Sequence, residues 1–475
     1  FSCSYCHNYS NTQDIGLFDQ NYKEVLDRFP IYAKEDVEKL AEKLKELLSK
    51  GDGFEIFNRF MQSPIRPSKK LLQNTANIID NKAVFSLLNE QLVAKNLILS
   101  KVKKSEKFNE KNVILVKGGP GTGKSVIAMN ILADMAKRNK KIFYACKSKP
   151  FIEALKNTVG KDGKILFSNL NRFIPSKINE NEIDVLLVDE AHRIGKTSNF
   201  QFTKPEDRTD MPQTEQLIRC AKTSVFFIDD KQNVRSLEVG SSKLIEETAK
   251  KLGCNIPEEV ELLSQFRCNG SDNYLDWLES MLGYKQEPKV LKKQDNFDFK
   301  IFDNPKELYN FIVQKEKEKA NSARMVAGFC WEWSKSLDSE GRIPADVKIG
   351  DFEMPWETNG NINPPEGYVR WYEWAYKTEG VKQIGCIYTA QGFEFDYIGV
   401  IIGEDLTYDK ENDCLTADIT KTKDPTLKRG KENFEQYVKN IYRVLMSRGM
   451  KGCYVYFVDK EVESYFRKYI QNFQK

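Results

Sequence analysis

Residues 118–125 read GGPGTGKS. Gly118, Gly123, Lys124 and Ser125 satisfy the spacing G-x-x-x-x-G-K-[ST], with Gly119, Pro120, Gly121 and Thr122 completing the loop. Glycines at this spacing let successive backbone N–H groups wrap a phosphate with no side chain in the way. Lys124 would then reach the β- and γ-phosphates of a nucleoside triphosphate, and Ser125 would ligate Mg2+. An apolar run, Val113–Val116, precedes the loop, and the helical stretch SVIAMNILADMAK follows it. Such a phosphate-binding loop (P-loop) needs both: a strand to deliver it and a helix N-terminus to add its positive dipole end.

A second apolar strand, in IDVLLVDEAHR, ends in Asp189 and Glu190. A carboxylate at the carboxyl end of a neighbouring strand can hold Mg2+ through water. A second carboxylate beside it can orient and deprotonate an attacking water. Asp189 is therefore the expected metal residue and Glu190 the expected general base. A P-loop kinase uses its acceptor hydroxyl and needs no such Glu, so the adjacent pair points to hydrolysis. The segment SVFFIDDKQN ends a third strand in Asp229 and Asp230, with Gln232 just beyond. A neutral amide there can sense a γ-phosphate without trapping charge. Arg267 in LLSQFRCNGS and Arg448 in NIYRVLMSRGMKG lie far from the P-loop in sequence. A guanidinium from a facing domain stabilises the charge spread over a γ-phosphate in transfer. For either arginine alone, an ordinary surface or structural role is the competing reading.

The chain opens on a different chemistry. Cys3, Cys6 and His7 have the C-x-x-C-H spacing by which c-type haem is attached. The other eight of the ten cysteines are scattered singly, the pattern of reduced thiols rather than of a disulfide framework. His7 and His192 are the two histidines, and no second C-x-x-C exists to complete four zinc ligands. Neither haem nor zinc is expected, and the segment reads as a structural turn. The first residue is Phe, so the chain reads as a piece of something longer. No apolar run approaches the ~18 residues that span a bilayer, and no signal peptide is present, so a cytoplasmic chain with no membrane partner is expected. A net charge of +4 neither demands nor excludes a basic groove for nucleic acid.

These residues converge only if parallel strands present them at one edge. From residue 111, short β-branched runs alternate with helical stretches: NVILVKGG, KIFYACK, KILFSNL, DVLLVDEAH, SVFFIDD. The same texture returns in RMVAGFCW, QIGCIYTAQG, DYIGVIIG and GCYVYFVD. Two tandem α/β domains with parallel sheets are the simplest reading. A short, mostly helical region precedes them. There, EDVEKLAEKLKELLSK places Val37, Leu40, Ala41, Leu44, Leu47 and Leu48 on one helical face. The expected divisions are 1–80, 81–257 and 258–475, with an aromatic-rich insertion at about 331–380. Five of six tryptophans fall in that insertion: Trp331, Trp333, Trp356, Trp371 and Trp374. They can be a packing cluster or stacking surfaces for bases.

The order GGPGTGKS, DEAH, DDKQN, QFRC, TAQGFEFD, YRVLMSRG resembles that of superfamily 1 helicases, most like the Schlafen-type bacterial group of DNA/RNA helicase domain proteins. The resemblance covers nearly the whole chain and implies two RecA-like P-loop domains. It further implies that Gln91 reads adenine, that Glu394 contacts the ribose, and that Gln391 and Gly392 link nucleotide state to the nucleic-acid track. Thr389 resembles a strand-contacting residue. Ser168, Asn169, Thr389, Gln391, Trp331 and Trp356 are the candidate nucleic-acid contacts. Family members often carry a nuclease-like segment upstream in the same polypeptide.

The expected function is an ATP- and Mg2+-dependent motor that translocates on or remodels single-stranded DNA or RNA, with defence against mobile elements as a role by analogy. The intervals between motifs leave little room for accessory domains, so translocation is a safer expectation than processive unwinding. The rival readings are an ATP-binding switch that does not translocate, a P-loop kinase, and a non-enzymatic nucleic-acid-binding module. The adjacent Asp189 and Glu190 with two distant arginines argue against the second, and intact Lys124 and Glu190 against the third.

Overall fold

The computed structural model describes residues 3–13, 15–48, 87, 89–159, 163–200, 203–235, 237–255, 258–263, 272–292 and 297–470. Two compact units make up the chain, Phe1–Ile65 and Arg66–Lys475. In the first, β1 (Ser4–Cys6) pairs in parallel with β2 (Ile31–Ala33). The Cys6 carbonyl accepts from Tyr9 N–H at 3.1 Å and the Tyr5 hydroxyl meets His7 Nδ1 at 2.9 Å, so the opening motif is a strand end and turn. The helix Val37–Leu48 forms as its period predicts. Its apolar face is not buried: Val37, Leu44 and Leu47 remain exposed.

The second unit holds two sheets. β3 (Asn112–Gly118), β4 (Ile142–Cys146), β5 (Phe167–Asn169), β6 (Ile183–Val188), β7 (Ala221–Ile228) and β8 (Glu258–Leu262) form one, in the order β5-β4-β6-β7-β3-β8. All its pairings are parallel. Strands of a parallel sheet covered on both faces read as continuous apolar runs, and Val113–Val116 and Val185–Val188 are buried throughout. β8 lies beyond residue 257, yet it pairs with β3 and is the edge of this first sheet. The first lobe therefore extends past the division expected from the sequence.

β9 (Asp298–Ile301), β10 (Ala323–Ala327), β13 (Phe395–Ile402) and β16 (Gly449–Phe457) form the second sheet, ordered β10-β13-β16-β9 and also parallel. Two antiparallel pairs are inserted, β11 (Val347–Ile349) with β12 (Phe352–Met354), and β14 (Leu406–Asp409) with β15 (Cys414–Ala417). The fold is thus two RecA-like α/β lobes in tandem. Because β6, β7 and β3 are neighbours, the P-loop, Asp189 and Asp229 all emerge at one carboxyl edge, where open α/β sheets bind ligands.

Two tryptophans of the insertion, Trp356 and Trp374, belong to packing, while Trp331, Trp333 and Trp371 are half-buried. Trp356 is 1% exposed, stacks on Phe329 at 5.6 Å, and gives its indole N–H to the Glu332 carbonyl. Trp374 is fully buried and donates to the Gln383 carbonyl. Trp331 donates to the Lys348 carbonyl and sits edge-on to Trp356. A buried ring offers no face to a base, so Trp356 is not a stacking surface.

Candidate nucleotide site between the two lobes

The loop Gly118–Ser125 joins β3 to the helix Lys124–Lys137. Gly123 has a φ of 86°, and a Cβ there would lie 2.2 Å from Gln91 Nε2. The positive φ favours glycine, and a Cβ would also displace the end of the Gln91 side chain. Gln91 is buried, and its Nε2 donates to the Thr122 carbonyl at 3.0 Å. The Thr122 hydroxyl in turn donates to the Gly119 carbonyl at 3.1 Å. Lys124 Nζ folds over the loop and donates to the Gly118 and Gly119 carbonyls at 2.6 and 2.8 Å.

Ser125 Oγ donates to Asp189 Oδ2 at 2.5 Å, and the buried Tyr144 hydroxyl donates to the same oxygen at 2.5 Å. A hydroxyl and a carboxylate brought together next to Lys124 are the hard oxygen donors Mg2+ takes, and the residues fit that ion. Burial and the charge of Glu190 push Asp189 above the usual carboxylate range, against the hydrogen bonds from Ser125 and Tyr144.

Glu190 has φ 52° and ψ 47°. Among the described residues, the other non-glycine positions with positive φ are Asn109, Asn139, Asn181, Asn321 and Asp413. Asn and Asp tolerate this region and Glu does not, at a cost on the order of 1 kcal/mol. His192 is fully buried with Nε2 at 3.0 Å from Glu190 Oε2. Burial opposes ionisation of Glu190, yet His192, Arg448 and Lys124 outweigh it and hold the carboxyl far below its usual value. Glu190 is thus ionised at neutral pH, as a base must be.

A cavity of about 320 Å3 lies between the lobes. Pro120, Lys124, Ser125, Phe151, Glu190 and Gln232 line it from the first lobe, and Tyr376, Gly392, Phe393 and Glu394 from the second. Phe151 and Phe393 meet edge to face at 5.5 Å across the seam. Gln232 Nε2 donates to Asp229 Oδ2 at 2.8 Å, which leaves its Oε1 buried without a hydrogen bond. A free carbonyl oxygen can accept from a water but not from a phosphate oxygen, which carries no proton to give. Asp230 is structural: it accepts from both N–H and hydroxyl of Ser242.

Arg448 is fully buried, with Nε and Nη1 donating to the Val444 and Phe393 carbonyls at 3.2 and 3.3 Å. It does not line the cavity, and its charge nonetheless acts on Glu190. Arg267 lies outside the described residues.

The candidate nucleic-acid residues divide. Ser168 is buried on β5; Asn169 is half-buried beside it and donates to the Lys147 carbonyl. Gln391 is fully buried, and neither of its amide atoms makes a hydrogen bond. Thr389 is 2% exposed; it accepts from Cys386 N–H and donates to Glu357 Oε1 at 3.0 Å, capping the short helix Ile387–Ala390. It holds its own loop and does not offer its hydroxyl to a strand. The sequence reading missed the seam near it, where the Arg235 guanidinium sits 3.4 Å from the centroid of the Tyr388 ring.

Glu357 was also missed, since a lone Glu among tryptophans carries no signal. It is 1% exposed, and burial lifts its carboxyl to about 7, against hydrogen bonds from Cys386 and Thr389. Between the ordinary value of 4.5 and 7, the folded chain holds a proton that the unfolded chain has lost. Stability therefore falls as pH rises through that window, by up to about 3 kcal/mol. Glu357→Gln is expected to remove this loss, melting higher than the parent at pH 8 and no higher at pH 4. Equal melting shifts at both pH values would refute the assignment.

Arg443 is the third omission. Five residues before Arg448 on the helix Phe434–Met446, it reads as one more charge on an amphipathic face. Its guanidinium instead lies buried between Glu279 of its own lobe and Asp229 of the opposite lobe.

A family model of the Schlafen group 3 DNA/RNA helicase domain matches residues 111–459. An uncharacterized protein of Saccharomyces cerevisiae is 28% identical over an alignment of 310 residues that covers 59% of this chain and 63% of that protein. The chain thus spans less than two thirds of that relative's length. Among solved structures, the Pif1 helicase of Candida albicans is similar over 81% of this chain and 99% of its own, at 13% identity and a TM-score of 0.34. Bacteroides Pif1 bound to ssDNA is similar over 80% and 94%, at 13% identity and a TM-score of 0.32. With well over half of its residues matched by the family model, the chain belongs to the Schlafen group 3 DNA/RNA helicase domain family.

Proposed function

We propose that this chain is an ATP-driven motor that advances along, or remodels, a single strand of nucleic acid as its lobes close and open around the nucleotide. The observation that carries this reading is the shared cavity: the P-loop, Glu190 and Gln232 face Gly392, Phe393 and Glu394 of the other lobe. A ligand held by both walls changes the free energy of closure when it is bound, cleaved or released.

In this reading the P-loop amides and Lys124 hold the phosphates, while Ser125 and Asp189 hold Mg2+, which draws charge from the phosphate oxygens. Gln232 Oε1 accepts a hydrogen bond from the attacking water. Glu190 takes the proton as the water oxygen bonds to the γ-phosphorus and the bond to the β-phosphate oxygen breaks. Arg448, whose charge already acts on Glu190, stabilises the transferring group from the second lobe, and Arg267 remains its candidate companion. Gln91, whose Nε2 bonds the loop at the Thr122 carbonyl, is the candidate for reading adenine, and Glu394, which lines the cavity, the candidate for contacting the ribose. A strand would follow the carboxyl ends of β4 and β5, past Asn169 and Lys147. Burial lowers Lys147 to about 8, with Glu238 opposing and Arg193 and Arg235 adding to the effect.

Steady-state ATPase is the test, measured with and without oligo(dT) and oligo(U). A motor is expected to hydrolyse at least tenfold faster with one of them, and to strip streptavidin from a biotinylated strand only with ATP. Hydrolysis that ignores both strands would leave the non-translocating switch as the better reading.

A further inference from the structure

We infer that Arg443 is a positioning residue that latches lobe closure to the placement of Gln232. This rests on the motor reading of the cleft. Arg443 Nε and Nη2 both donate to Glu279 Oε1, at 3.1 and 2.6 Å, which fixes the guanidinium within its own lobe. Nη1 makes no hydrogen bond and lies 3.8 Å from Asp229 Oδ2 across the seam. Asp229 follows β7 directly and clamps the turn it begins: Oδ2 accepts from Gln232 Nε2 at 2.8 Å, Oδ1 from Lys231 N–H at 3.0 Å. One turn earlier on the same helix, Asn440 Nδ2 donates to the Asn233 carbonyl. Lys231 Nζ stands 3.8 Å from Glu279.

The turn Asp229–Asn233 is thus gripped from the second lobe at both ends, by residues three apart on one helix face. Both charged partners are buried, Arg443 at 5% exposure and Asp229 at 7%. Parting the lobes would leave Asp229 without this cation, and a buried carboxylate that loses its counter-ion must rearrange its remaining donors or admit water to compensate the charge. Gln232 Nε2 is one of those donors. Closure therefore sets the amide, and the amide sets the water. Arg443 itself does not line the cavity, so it acts through Asp229 and Gln232 rather than on the nucleotide.

The test uses the full chain with saturating ATP and single strand. Arg443→Met is expected to lower kcat at least tenfold with KM for ATP within threefold. Arg443→Lys, which keeps the charge, should recover most of that loss. In a Gln232→Ala background, Arg443→Met should cost less than twofold more, because both act on one step. If Arg443→Met does not fold, Glu279→Gln serves instead, with a several-fold loss in kcat and the same non-additivity. Unchanged kcat, or losses that multiply in the Gln232→Ala background, would overturn the latch. A wild-type chain that hydrolyses nothing would sink the motor reading instead. The latch is then judged by the distance between spin labels at Lys164 and Lys348: a non-hydrolysable ATP analogue should shorten it in wild type and not in Arg443→Met, and equal shortening in both overturns it.

Discussion

Glu190→Gln is expected to hydrolyse ATP at least a hundredfold more slowly while binding it as tightly as the parent chain. The carboxylate lines the cavity and is held ionised, despite its burial, by His192, Arg448 and Lys124. An amide of the same shape fills the same space and can still hydrogen-bond a water, but it cannot take the proton. General bases contribute about 10²–10⁴-fold, so the loss should fall in that range. Nucleotide affinity should hold because Lys124, Ser125 and the P-loop amides are untouched. A fluorescent-nucleotide titration and a single-turnover assay separate the two quantities. Hydrolysis within threefold of wild type would remove Glu190 from the role of base.

Lys124→Ala should lower kcat/KM by about 10³-fold or more, roughly 4 kcal/mol of transition-state stabilisation. Here binding falls as well as turnover, because the ammonium is the P-loop's point charge for the phosphates. The fold should survive. Nζ now bonds the carbonyls of Gly118 and Gly119, both only half-buried, so water can replace it. A melting temperature near the parent's, with nucleotide titration showing weakened binding, is the expected pattern. Wild-type turnover in this variant would mean that the cavity between the lobes is not where ATP is cleaved.

Much of this site was legible because its chemistry is local. Eight consecutive residues specify the P-loop, and an apolar run ending in two acids specifies the next strand. What escaped depends on pairings between distant segments. Arg443 has no signature of its own; its meaning comes from Glu279 and Asp229, which the fold brings to it. β8 reads as well at the start of the second lobe as at the edge of the first, since strand residues do not name their sheet. Aromatic density likewise does not say which way the rings face, and Trp356 turned inward. Periodicity placed the helix Val37–Leu48 and grouped its apolar side chains on one face, but does not say whether that face is covered, and Val37, Leu44 and Leu47 are exposed.

The left-handed backbone at Glu190 bears on descent as well as on mechanism. Relaxing that residue to Gly or Asn would relieve the backbone strain, at the loss of the carboxylate that faces the buried His192. A copy of this domain released from selection for hydrolysis would be expected to decay there early, ahead of the glycines that the loop needs merely to keep its shape. On the motor reading, glutamate holding that conformation between Asp189 and the buried His192 is what a lineage with a continued demand for nucleotide cleavage would be expected to keep.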